Sequence, residues 1–191
     1  MNITPNVSTT TVSPHCDILT EKVAIDCEMM QANIGHVLGR VSVVNYESRT
    51  IFDTFVCYPE PVDIINTHKE FSGIDWSDID SQDGAQSFSE VQAQLFELLR
   101  GRIVIGHDLQ KDLKAISMDL PSLILRHQGI AHGYRQYANP GAHQGPNLKN
   151  LTLGVLGRSI KQGRISSLED AVATMNIYRN AEEDIDREQR K

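Results

Sequence analysis

The sequence predicts an α/β domain, a mixed sheet with helices on its faces. Three observations carry this. Three segments rich in β-branched residues, 22–30, 39–45 and 51–57, follow one another with short polar breaks, as in an antiparallel meander. The short apolar run Ile103-Val104-Ile105 comes directly after a helical segment, as a buried parallel strand does. Helix signals then alternate with strand signals and close the chain, so helices must cover both faces of the sheet. With 191 residues and 40% hydrophobic content, the chain can bury one core of this kind.

The elements follow in order. Residues 1–20 start with a stretch rich in Thr, Ser, Asn and Pro without periodicity and read as a flexible tail. The domain proper is expected over 21–180. In the first strand, Val23-Ala24-Ile25-Asp26-Cys27-Glu28-Met29-Met30, side chains two apart share a face. Asp26 and Glu28 therefore project together, with Ala24, opposite Val23, Ile25, Cys27 and Met29. Two like charges on a mostly buried strand are costly unless neutralised. A hard divalent cation with oxygen ligands, Mg²⁺ or Mn²⁺, does this most simply. The plainer alternative is an edge strand with two solvated acids.

Pro59 and Pro61 end the meander, and 67–74 reads as a turn flanked by short helices. Ser87-Phe88-Ser89-Glu90 is a capping box, and Val91, Leu95, Leu98 and Leu99 follow at helical spacing up to Gly101. After 102–106 comes a helix over 108–118 with Leu109, Leu113 and Ile116 inward. Residues 122–126 read as the fifth strand, and 127–146 as a long functional or surface loop. A helix over 147–156 ends at Gly157. Ser166-Ser167-Leu168-Glu169 reads as a second capping box and opens a last helix with Ala171, Val172, Met175 and Tyr178 on one side. The mixed-charge end, 181–191, is expected to fray.

The net charge of −7 argues against a protein held on nucleic acid by bulk positive charge. It leaves room for a site whose bound ions supply that charge locally. Three cysteines without a CxxC pair point away from a disulfide framework or structural zinc and towards a reducing compartment. No apolar run approaches membrane-spanning length. A nuclear or cytoplasmic protein without a membrane partner is the expectation. A metal pair needs more acids than one strand offers. Asp112 and Asp170, each in the first turns of a helix, are the candidates; acids there are also favoured by the helix dipole alone.

Ala24-Ile25-Asp26-Cys27-Glu28-Met29, Arg40-Val41-Ser42-Val43-Val44-Asn45, Phe71-Ser72-Gly73-Ile74, Gly106-His107-Asp108-Leu109-Gln110-Lys111-Asp112-Leu113 and Ser167-Leu168-Glu169-Asp170-Ala171 occur in that order. Together, over about 21–180, they resemble the DEDD 3′→5′ exonucleases, in the branch of RNA exonuclease 4 and the interferon-stimulated 20-kDa exonuclease. The resemblance implies a ribonuclease H-like fold with a five-stranded mixed sheet. It implies that Asp26, Glu28 and Asp170 hold the ion that activates the attacking water. Asp26 and Asp112 would hold a second ion beside the leaving oxygen, and the substrate would be single-stranded RNA or, less readily, DNA. Met29, Met30, Arg40, His107 and Lys149 fall on the substrate side, with Lys111 and Arg164 as further basic groups.

One departure matters. The group carries a histidine five residues before the last aspartate, as general base; here that position is Ile165, which cannot take a proton. Arg126-His127-Gln128 also stands where relatives carry Arg-Asp-Thr. His127, His132 and His143 are candidate substitutes for the base. Two readings follow: an exonuclease-type protein with weakened hydrolysis, or a non-catalytic descendant that binds nucleic acid or a protein partner.

Overall fold

A computed structural model describes residues 18–117, 126–129 and 146–189. The meander is β1 (Lys22–Ala32), β2 (Gly35–Asn45) and β3 (Thr50–Cys57), antiparallel in sequence. Two short strands follow, β4 (Ile64–Asn66) and β5 (Gln86–Ser87), then β6 (Ile103–Gly106) and β7 (Arg126–Gly129). The order across the sheet is β5-β3-β2-β1-β6-β7, with β4 pairing the far part of β1. β6 runs parallel to β1, with Ala24 beside Ile105, and β7 runs parallel to β6. The expected five strands are present, widened by β4 and β5. Of the segment 122–126 read as the fifth strand, only Arg126 lies among the described residues; there the strand continues to Gly129. The tail 1–17 and most of the long loop lie outside them.

The helices are α1 (Lys69–Ser72), α2 (Phe88–Leu99), α3 (Leu109–Ala115), α4 (Leu148–Leu156), α5 (Ser167–Asn180) and α6 (Glu182–Gln189). Strand alternation sorts them onto two faces. Val23, Ile25, Val41, Val43 and Val104 pack against Val91, Leu95 and Leu99 of α2 and Leu109 and Leu113 of α3. Ala24, Val44 and Ile105 pack against Leu151 of α4 and Ala171, Met175 and Tyr178 of α5. Each Val, Leu, Ile or Met among them contributes about 1.5–3 kcal/mol on burial. β1 lies between β2 and β6 with both faces covered, so Val23, Ala24 and Ile25 are all buried.

Local signals work at α2 and α4. Ser87 and Glu90 bond each other's backbone N–H in a complete capping box. Asn147 caps α4, and Gly157 closes it in the left-handed region. At α5 the expected capping box is not formed: Ser166 makes no capping bond, and the Glu169 carboxylate accepts the N–H of Lys161 at 2.9 Å. Tertiary partners have outcompeted the local cap. The end expected to fray also differs. α6 is tied back to β1 by Lys22, which donates to Glu182 and to Asp186 (3.2 Å), while Tyr178 donates to Asp186 at 2.7 Å. Those partners lie far apart in sequence, so no local pattern announces them.

Two glycines set the wall near the end of β1. The β1–β2 register skips Gly39, passing from Glu28–Arg40 to Met29–Leu38. A Cβ on Gly39 would lie 2.5 Å from Ile74 Cδ1 and 2.6 Å from Met30 Cγ. Gly73 sits at φ +68, and a Cβ there would run into the Ile165 carbonyl oxygen. Gly73→Ala should therefore cost at least about 2 kcal/mol, from left-handed strain plus the backbone clash. Gly84, at φ +99 with open space around it, carries strain alone, and Gly84→Ala should cost about 1 kcal/mol. Urea unfolding midpoints of the two variants at unchanged m-value check this ordering.

Candidate metal centre

β1 delivers Asp26 and Glu28 to the face covered by α5, and the first turn of α5 delivers Asp170. One carboxylate oxygen from each lies within 4.8 Å of the others. Asp112 comes from the second face, on α3, and is 8% exposed. Its carboxylate accepts the backbone N–H and the thiol of Cys27, the residue between the two β1 acids. Among charged groups it is the one that acts most strongly on Asp26. Three of the four predicted acids, Asp26, Glu28 and Asp170, therefore cluster on the α5 face of β1, and the charge of Asp112 acts on Asp26 from α3.

A polar lattice seats α5 against the sheet. Arg40 grips Asp53 with two parallel bonds, 3.0 Å from Nε and 2.9 Å from a terminal nitrogen, and its other nitrogen donates to Ser166 Oγ at 3.1 Å. Ser42, opposite Asp26 in the β1–β2 register, donates to Asp53 at 2.8 Å and lies 2.7 Å from Ser167 Oγ. Bidentate guanidinium–carboxylate pairs are the directional kind. This one fixes the start of α5, and hence Asp170, over β1.

The electrostatics are those of an acid cluster taken out of water. Burial pushes Glu28 up to about 7, with Asp170 adding to the rise and Lys161 and Arg40 opposing it. Burial also raises Asp26, Asp112 and Asp170 from their ordinary values, with repulsion from Asp112, Asp170 and Glu28 adding at Asp26 and Lys161 opposing the rise at Asp170. Lys161 Nζ is 2.5 Å from Asp170 Oδ2. The other oxygen of Asp170 is buried and has no hydrogen-bond partner among the described residues. An all-oxygen set with an orphaned buried carboxylate oxygen fits a hard divalent cation.

The remaining predicted residues are placed less uniformly. Met30 is fully buried with Ala32, Val37 and Ile74; it is a core residue rather than a substrate contact, because the gap at Gly39 draws it inward. Met29 is half-buried beside Leu38. Arg40 is committed to Asp53 and Ser166 and is a clamp rather than an open phosphate ligand. His107 donates from Nε2 to the Pro146 carbonyl at 2.7 Å, and burial lowers its pKa. Lys149 is exposed on the first turn of α4. Lys111 pairs with Asp108 at 2.5 Å, and Arg164 with Asp78. Ile165 is half-buried, with its carbonyl against Gly73. His132 and His143 lie outside the described residues, and His127 lies on β7. Sequence reasoning passed over Ser42, Asp53 and Lys161. The first two were findable, since they face each other across the predicted β2–β3 pairing; Lys161 carried no signal.

The raised carboxyl pKa values make a prediction about stability without metal. Between about pH 5 and pH 8 the folded state holds protons that the unfolded chain has released, so stability falls as pH rises. The protective contribution is complete below the unfolded pKa values and is gone once pH passes the folded ones. Glu28 alone accounts for on the order of 2–3 kcal/mol. Thermal unfolding in EDTA should show a lower midpoint at pH 8 than at pH 5.5, and Asp26→Asn should flatten the dependence.

No family model matches the chain. RNA exonuclease 4 of Candida glabrata is 32% identical over 190 residues, covering 96% of this chain and 68% of that protein. RNA exonuclease 4 of Gibberella zeae is 39% identical over 160 residues, 82% of this chain; the chain spans about half of that relative, 48%. Among solved structures, the Neurospora crassa Pan2 catalytic unit superposes with a TM-score of 0.70 at 24% identity, over 87% of this chain and 28% of that one. A Saccharomyces cerevisiae Pan2 pseudoubiquitin hydrolase–RNA exonuclease module in complex with AAGGA RNA gives 0.67 at 22% identity, over 88% and 31%. The fold is ribonuclease H-like, and exonucleases of this type generally use divalent metal ions. The chain belongs to the RNA exonuclease 4 family of DEDD exonucleases.

Proposed function

We propose that this chain is a 3′→5′ exonuclease-type domain that acts on single-stranded RNA with two divalent cations, Mg²⁺ or Mn²⁺, and with hydrolysis slowed by the absence of a positioned base. The observation that carries the reading is the meeting of Asp26, Glu28 and Asp170 within 4.8 Å, with Asp112 at Asp26 from the other face of the sheet. Asp26, Glu28 and Asp170 would hold one ion, and Asp26 with Asp112 the other. Bound there, such ions lower the pKa of water and stabilise both oxygens of an in-line displacement at phosphorus. The relatives' name and the RNA in the Pan2 structure support RNA as the substrate class.

The protein's own residues do the rest. The β1 strand and the Arg40–Asp53–Ser167 lattice hold the acids in place before substrate arrives, which is where catalysis by positioning originates. Met29, beside Glu28, offers an apolar surface to the terminal nucleotide. Position 165 supplies no proton acceptor, and loss of a positioned base costs roughly 10²–10⁴-fold. Arg40, Lys111 and Arg164 are paired within the protein, which leaves Lys149 as the most open of the predicted basic contacts. A second reading, a binding protein without hydrolysis, draws on the same Ile165 and on the closed Arg40 clamp.

Single-turnover decay of a 5′-labelled single-stranded RNA with Mn²⁺ decides between them. Slow shortening from the 3′ end that vanishes in Asp26→Asn supports the exonuclease; full-length RNA at all times supports the binder. Ile165→His should raise the rate about 10²-fold with little change in RNA affinity, because a base acts in the transition state. RNA binding should weaken with salt at a log–log slope of only a few units, reflecting few open phosphate contacts. A steep slope would show a larger basic surface than Lys149 implies.

A further inference from the structure

Lys161 stands apart from the other basic residues described near the site. Its backbone is held at φ +60, a region that a lysine enters only when its surroundings over-determine it. The surroundings here are specific. Ile160, the preceding residue, is buried in the core against α4 and α5. The Lys161 N–H is taken by Glu169 at 2.9 Å. Three residues on, Arg164 donates to the Gly73 carbonyl at 2.6 Å. The chain is thus bent so that the ammonium enters the acid cluster and stops 2.5 Å from Asp170 Oδ2. Asp170 is 4% exposed, and Glu28 and Asp26 are the next charges that Lys161 meets. Arg40, which also acts on Glu28, is neutralised by Asp53.

We propose that Lys161 is a built-in counter-cation of the acid cluster, which competes with the divalent ion for Asp170 and holds the site together when no metal is bound. This rests on the reading of the acids as a divalent site and goes beyond it by assigning the site a resident competitor. An ammonium on a buried carboxylate repels a second cation at the same group, and an unpaired buried acid is costly. Divalent binding must therefore displace Lys161, whose side chain is 32% exposed and has an outlet to solvent. Affinity is lowered, and the fold does not depend on metal.

The test is calorimetric titration of Mn²⁺ at one pH into the wild-type chain, Lys161→Gln and Lys161→Arg, with thermal midpoints in EDTA. Glutamine keeps a donor for Asp170 without the charge; arginine keeps the charge. Lys161→Gln should bind Mn²⁺ at least tenfold more tightly than wild type, and its midpoint in EDTA should fall below wild type. Lys161→Arg should bind no more tightly than wild type. Equal or weaker Mn²⁺ binding by Lys161→Gln overturns the competition while leaving the metal site standing, as does tenfold tighter binding by Lys161→Arg. No Mn²⁺ binding by any of the three overturns the metal site and the competition together.

Discussion

Carboxylates crowded at the end of one strand are the constraint on which this structure turns. Two unit charges 4.8 Å apart repel by about 3 kcal/mol at an effective dielectric of ~20, and a domain of this size holds only about 5–15 kcal/mol of net stability. Asp26, Glu28 and Asp170, with Asp112 behind them, cannot all be ionised and uncompensated. Two forms of compensation are present in the chain itself, protons held to higher pH and the Lys161 ammonium; divalent ions at the all-oxygen set would be the third.

The scaffold explains how such a cluster is assembled at all. β1 is the middle of the sheet, so hydrophobic burial on both faces fixes its position and its alternation. That alternation alone aims Asp26 and Glu28 towards α5. The helix is then held in place by polar contacts that run across β2 and β3, from Asp53 through Arg40 and Ser42 to Ser166 and Ser167. Asp170 gains further from the positive end of α5. α3 brings Asp112 from the opposite face, where the backbone N–H and thiol of Cys27 receive it. Packing sets the coarse position of each acid, and directional hydrogen bonds set the fine one.

Much of this was legible in the residues. The meander, the parallel β6, the α2 capping box and the two acids of β1 follow from local periodicity and start signals. Asp112 and Asp170 stood out as acids in the first turns of helices, but only the resemblance gave them roles, since acids near helix starts are common without function. What stayed hidden is held by contacts remote in sequence. α6 depends on Lys22, more than 150 residues away. The capping bond of Ser166 is displaced because Glu169 serves Lys161. Met30 turns from the substrate side into the core because a glycine across the strand leaves a gap that it fills. A local pattern records a preference, and the tertiary partner that overrides it leaves no local trace.

The segment between α4 and α5 concentrates what is distinctive about this chain. It carries isoleucine at position 165, where the sequence resemblance implies a proton acceptor, and four residues earlier it carries the ammonium that meets Asp170. Both positions are held by the backbone: Ile165 through its carbonyl against Gly73, Lys161 through its N–H to Glu169. Their side chains can therefore change without moving the acids, which are set by β1, α3 and the Arg40 lattice. This separation has a chemical consequence. On the proposals made above, the segment would govern how protons and cations reach the cluster, whereas the sheet governs where the cluster is. A chain built this way would keep an exonuclease scaffold intact while substitutions in one short loop change the groups that face the acids.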